Sequence, residues 1–399
     1  MSLLKELLSK DTVSRIEIAD AISKGTFTNL LLNAAPRTGK SVIASALMNK
    51  WGGKVLILSN SVNTNKQWKE NIKEYNPHLL GDIELSCYQS IHKVEDKYDI
   101  IVCDEWETAL SNKRYLGLME LNPKHWIAMS GSMDQWDEIE FRKLVKNDLE
   151  YVKIGIEQVV KWGIIAQPKF FRVPVEMDNR KRVLLYTKGK DKKKKNKVIL
   201  YPERFKHFSD KTFNYLIQCT EKEYNEMIQN EYDFYKSKWE EDKDQIMKQV
   251  WIRKGLERKK FYASVKPRHF RTLFSQLPQG SRCLVFCNDT AQADMLNEQF
   301  SVHSNKDNKD LIERFRDKEI PYLFSVGMLN RGQDFENVDY VIILQVSGSN
   351  KENVQQIGRC FLSSKPKIIL LYLRDTDDEK YVNTLLSNYP ESWIKTKTL

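Results

Sequence analysis

"LLLNAAPRTGKSVIASALMNKW", residues 30–51, decides the fold. An apolar run ends at Asn33, a short loop carries Pro36, Arg37, Thr38 and Gly39, and Lys40 with Ser41 opens an amphipathic stretch. The pattern predicts a buried strand that turns into a helix through a loop rich in polar groups. Backbone N–H groups at a helix start lack partners within the helix, and the helix dipole adds positive potential there. Such a turn suits phosphate. Lys40 would reach the terminal phosphates and the Ser41 hydroxyl would ligate Mg²⁺, with Arg37, Thr38 and Gly39 lining the cradle. The pattern G-x-x-x-x-G-K-[ST] is met except at its first glycine, where the chain has Ala34. A lone GKS also closes ordinary strand–helix turns, so the remainder of the chain has to decide.

The first 165 residues repeat one motif of organisation. "KVLILSN" (54–60), "YDIIVCDEWE" (98–107) and "HWIAMSGS" (125–132) are short apolar runs that end in polar residues, with helical patterns between them. Strands alternating with helices describe a doubly wound parallel sheet, whose ligand site gathers at the carboxyl ends of its strands. The GKS loop, the Asp104–Glu105 pair and the Ser130–Gly131–Ser132 triplet all fall at such ends. Adjacent acids there suit a site for metal and triphosphate: Asp104 would hold Mg²⁺ and Glu105 would polarise the attacking water.

A second series starts near residue 281, with strands in "SRCLVFCND", "PYLFSVGML", "VDYVIILQVSGS" and "PKIILLYLRD". Between the two series the composition changes. "RKRVLLYTKGKDKKKKNK" (180–197) has ten basic residues and one acidic, so it carries almost the whole net charge of +10. Apolar "VLLY" and "VILYP" flank the lysines and predict a basic hairpin. From Thr220 a capping-box pattern with Glu223 opens a long helical stretch whose aromatic face is expected to pack.

At 399 residues the chain is long enough for two ordinary domains. No stretch approaches the ~20 apolar residues of a membrane span, and the N-terminus lacks the pattern of a secretory signal. The six cysteines show no metal-ligand spacing, which argues against zinc and for a reducing compartment. These features predict a soluble, cytoplasmic protein.

The order of these signals resembles that of superfamily 2 helicases and translocases. "AAPRTGKS" is similar to motif I, "LILSNSVNTNKQW" to the element after it, "CYQSI" to the next, "CDEW" to motif II and "MSGS" to motif III. "CLVFCND", "SVGMLNRGQDFENVDYVI" and "QQIGRCFL" resemble motifs IV, V and VI. With "GIIAQPKFFRVPVE" (163–176) after motif III, the layout most resembles UvsW-like phage DNA helicases of the XPB-like branch.

The resemblance implies an α/β chain of two RecA-like domains, 1–165 and 166–399. The second would contain the basic hairpin and helical insertion at 176–265. It implies ATP and Mg²⁺ as cofactors, with Lys40, Asp104, Glu105, Gln355 and Arg359 catalytic and Arg359 as arginine finger. Ser41 and Asp104 would hold the metal, and Gly332 and Asp334 would complete the nucleotide site. Nucleic acid is expected at Ser61, Trp68, Tyr88, Gln89 and Asn288, and at the projecting Lys192, Lys193, Lys194 and Lys195. The implied activity is ATP-driven unwinding or remodelling of single-stranded, forked or branched DNA, in replication or recombination, by a monomer in the host cytoplasm. An RNA helicase and an ATP-binding clamp with little turnover stay open as alternatives. Three positions depart from the family pattern: Leu362 replaces a second motif VI arginine, Glu107 ends motif II, and no glutamine precedes Gln67 to read adenine.

Overall fold

The structure, a computed structural model, describes residues 4–145, 148–180, 182–186, 198–199, 215–304, 309–327, 329, 335–348 and 350–399. The first sheet contains β1 (Asn29–Ala34), β2 (Val55–Ser59), β3 (Ile83–Cys87), β4 (Ile100–Asp104), β5 (His125–Ser130) and β6 (Leu149–Ile154). Their order is β3-β2-β4-β5-β1-β6, with every pairing parallel. The apolar runs read from the sequence are β1, β2, β4 and β5, buried almost throughout because helices cover both faces. β6 mixes polar and apolar residues and was not expected.

β7 (Lys169–Val175) belongs to a second parallel sheet, which it enters between strands from the far end of the chain. The antiparallel strands β8 (Arg182–Tyr186), β9 (Val198–Ile199) and β10 (Tyr215–Cys219) form a small separate sheet, ordered β10-β8-β9. β8 and β9 pair as the predicted hairpin requires, while β10 adds an unexpected third strand. Lys192, Lys193, Lys194 and Lys195 lie outside the described residues. The second sheet continues with β11 (Cys283–Phe286), β12 (Ser301–Val302), β13 (Tyr322–Ser325), β14 (Tyr340–Ile343), β15 (Lys367–Leu373) and β16 (Ile394–Thr396). Its order is β12-β13-β11-β14-β15-β7-β16. The expected pair of parallel-sheet α/β domains is therefore present. No helix among the described residues is long and apolar enough to cross a membrane.

The long helical stretch is two helices, Glu221–Asp242 and Gln245–Ser275. The predicted capping box is made: Thr220 Oγ1 accepts from the Glu223 N–H, and Glu223 Oε2 accepts from the Thr220 N–H. Lys243 in the left-handed region ends the first helix, and Asp244 caps the second by accepting from the Ile246 N–H at 2.8 Å. Tyr224, Ile228, Phe261, Val265 and Phe270 pack on one face of the second sheet, against Val285, Phe324 and Leu371. The helical pair is thus core, not appendage.

An ion pair ties the second of these helices to the helix Asp377–Leu386. Lys266 Nζ lies 2.6 Å from Asp378 Oδ2, both side chains being 0% exposed. Lys266 also donates to the Leu344 carbonyl and to Gln345 Oε1, while Asp378 accepts from Gln345 Nε2 and the Leu373 N–H. Burial pulls the Lys266 ammonium below its usual range, and the Asp378 charge opposes that shift. Asp378→Ala is expected to cost about 3–5 kcal/mol in denaturant unfolding, since it strands the buried ammonium. Lys266→Met combined with Asp378→Leu should recover part of that loss.

Candidate active site

β1 ends at Ala34 and the helix Lys40–Trp51 begins after a five-residue loop. The loop is pinned from within and from one side. Thr38, fully buried, donates its hydroxyl to the Ala35 carbonyl at 2.7 Å, and Arg15 Nε donates to the Arg37 carbonyl at 3.0 Å. Gly39 sits at φ +92°, and a Cβ there would lie 3.0 Å from Arg15 Cβ, so only glycine fits. No side chain caps the helix at Gly39, which leaves the first-turn N–H groups to a ligand. Lys40 Nζ rests on the Ala34 carbonyl at 3.2 Å, beside Gly131 of the Ser-Gly-Ser loop.

β4 delivers Asp104 and Glu105 to the same cleft, a cavity of about 350 Å³. Trp68 donates its indole N–H to Asp104 Oδ2 at 2.9 Å, and the Tyr88 hydroxyl donates to the Asp104 carbonyl at 2.9 Å. Enclosure raises the Asp104 carboxyl, against the Trp68 hydrogen bond and the Lys40 charge. Glu105 adopts φ +54°, which turns the chain sharply after the strand. Burial pushes its carboxyl up to about 8, helped by the charges of Glu107 and Asp104 and opposed by Lys40. Ser41 faces the cleft and accepts a hydrogen bond from Asn71 Nδ2 at 3.3 Å.

The opposite wall comes from the second sheet's side. The helix Asn350–Gly358 places Gln355 so that Nε2 donates to Glu105 Oε2 at 3.3 Å. Arg359, only 8% exposed, lines the cleft one residue beyond that helix. Gly358 permits the approach, because a Cβ there would stand 3.3 Å from Pro36 of the loop after β1. Residues 250 positions apart in the chain are thus joined across one cleft.

Of the residues singled out in the sequence, Arg37, Gly39, Lys40, Ser41, Asp104, Glu105, Gln355 and Arg359 line this cavity, with Thr38 buried within the loop. Gly332 and Asp334 lie outside the described residues. Two expected nucleic-acid contacts need correction. Trp68 and Tyr88 are buried, 3% and 0% exposed, with their polar atoms spent on Asp104, so neither ring is presented to a strand of nucleic acid. Trp68 instead lines the cleft. Gln89 is exposed. Ser61 caps the helix Val62–Tyr75, accepting from the Thr64 N–H, and half-buried Asn288 bonds to Asp289 and Gln292. Arg15 and Asn71 were missed. Asn71 had a readable signal, since it follows Trp68 by three residues on a predicted helix.

Residues 265–361 match the helicase conserved C-terminal domain. Over 154 residues, 33% of this chain, the sequence is 21% identical to eukaryotic initiation factor 4A of Drosophila melanogaster, and it spans 38% of that relative's length. Among solved structures, S. cerevisiae Dbp5 bound to RNA and ADP BeF3 is similar with a TM-score of 0.60 at 10% identity, over 100% of this chain and 92% of that one. The Pyrococcus furiosus Hef helicase domain gives 0.50 at 16% identity, over 95% and 99%. The two parallel sheets thus share the two-domain α/β fold of those structures, and residues 265–361 are similar to the helicase conserved C-terminal domain.

Proposed function

We propose that the chain is an ATP-dependent nucleic-acid motor of superfamily 2, whose two lobes, 1–165 and 166–399, close on nucleotide. The observation that carries this reading is the cleft itself. Gln355 bonds to Glu105 across it, and Arg359 faces the loop that holds Lys40. The first-turn N–H groups and Lys40 bind the phosphates, for which Lys40 exchanges the Ala34 carbonyl. Ser41 and Asp104 supply an alcohol and a carboxylate, hard oxygen donors that fit Mg²⁺, and they would hold it. Bound there, Mg²⁺ would offset phosphate charge.

Glu105 orients the attacking water and accepts its proton as the oxygen bonds to the γ-phosphorus and the bond to the β-phosphate oxygen breaks, releasing ADP. Gln355 holds the Glu105 carboxylate. Arg359 stabilises the charge on the transferring group only when the lobes are closed, which couples hydrolysis to domain movement. Gly332 and Asp334 are assigned to the same site by motif.

The substrate is read as forked or branched DNA, supported by the motif layout with its UvsW-like order and by the basic segment 180–197. Lys192, Lys193, Lys194 and Lys195 would grip backbone phosphates there without reading bases. RNA is the second reading, favoured by the likeness to Dbp5, whose structure holds RNA. Phosphate release measured with single-stranded, duplex, forked and four-way DNA beside matched RNA tests both. Stimulation greatest with forked or four-way DNA is expected. Greater stimulation by RNA would select the second reading, and no stimulation by either would leave only a nucleotide-binding clamp.

A further inference from the structure

The helix Val62–Tyr75 flanks the cleft, and two of its side chains reach the oxygen atoms assigned to the metal. Trp68 donates to Asp104 Oδ2 at 2.9 Å, and Asn71 donates to Ser41 Oγ at 3.3 Å. Three residues apart, they project from one face of the helix. Trp68 belongs to the main apolar core beside Ile72, so its indole cannot swing away from the acid. The Tyr88 hydroxyl fixes the backbone carbonyl of the same aspartate. Asp104 is therefore held at both its side chain and its backbone carbonyl while it lines the cleft.

Ser41 is constrained in a similar way. A hydroxyl has one proton and two lone pairs. Accepting from Asn71 occupies one lone pair and leaves two directions for the proton and the second lone pair. Both donors are neutral, so they orient the two oxygens without neutralising the Asp104 charge that would attract a cation. A lysine in either place would compete with the ion. An apolar residue would leave the oxygens free to turn.

We propose that Trp68 and Asn71 are positioning residues that set the affinity of the Ser41–Asp104 pair for a divalent cation. This rests on the nucleotide-site reading above. Partners that orient metal-holding side chains typically account for about 10–100-fold in metal affinity.

The test is a Mg²⁺ titration of fluorescent ATP-analogue binding to the full chain, beside the same binding in EDTA and a thermal melt. Trp68→Phe keeps a ring in the core but removes the N–H. It should raise the half-saturating Mg²⁺ roughly 10–100-fold while leaving binding in EDTA near wild type. Asn71→Ala should act in the same direction. Asn71 is half-buried, so its variant decides the question if Trp68→Phe fails to fold. Folded variants with wild-type Mg²⁺ dependence would overturn the proposal. So would equal losses with and without metal, because a merely structural role predicts that. Absence of Mg²⁺-dependent binding in the wild type would overturn the nucleotide reading itself, and this inference with it.

Discussion

Arg359→Ala is expected to slow ATP hydrolysis by roughly 10³-fold or more, the scale of an arginine that contacts the transferring phosphoryl group. The side chain is delivered from the second domain to a cleft whose floor is the Lys40 loop, and it is nearly enclosed there. The motif pattern has a second arginine three residues further on, but this chain has Leu362, so the motif itself supplies no second cation. Nucleotide binding in the absence of turnover should fall far less, because the first domain alone provides the helix start and Lys40. Single-turnover phosphate release alongside nucleotide affinity separates the two quantities. Normal basal hydrolysis with weakened nucleic-acid binding would move Arg359 out of the nucleotide site.

The parts of this site that were legible in the sequence are those that end an apolar run. β1, β2, β4 and β5 are short apolar strands buried on both faces, so the polar residue after each marks a carboxyl end. The short or mixed strands were not legible. β6 reads "LEYVKI", β12 is two residues long and β16 reads "IKT", and only pairing with longer neighbours makes them strands. The division of the helical insertion was legible in part: Asp244 is a capping residue within "EDKDQ", but nothing local distinguishes it from the acids around it.

Trp68 and Tyr88 mark a different boundary. An aromatic side chain with one polar atom suits a base-stacking surface or a core with a single buried acceptor equally well. The acceptor here is Asp104, 36 positions from Trp68 and 16 from Tyr88, and the sequence does not pair them. Glu107 was visible as a departure from the family pattern, yet its effect was not. Only the fold shows it raising the Glu105 carboxyl from two residues away.

That crowding separates the cost of Glu105 from its use. Glu105→Gln should reduce turnover by roughly 10²–10⁴-fold, the range of a positioned general base, while nucleotide binding persists. It should also stabilise the free protein. The wild-type carboxyl is held up to about 8 by burial and by the Glu107 and Asp104 charges, so the folded state binds a proton that the unfolded state releases. Stability from that proton is present below the ordinary carboxylate range and is lost as pH rises toward 8. Glutamine carries no charge to lose, so the gain in thermal midpoint should be larger at pH 8 than at pH 5. The same raised carboxyl should give wild-type kcat/KM an acid limb with its inflection near pH 8 in the free enzyme. Melts at the two pH values, with kcat/KM across the range, check all three outcomes. A variant that hydrolyses ATP at the wild-type rate would remove Glu105 from the reaction, whatever its effect on the melt.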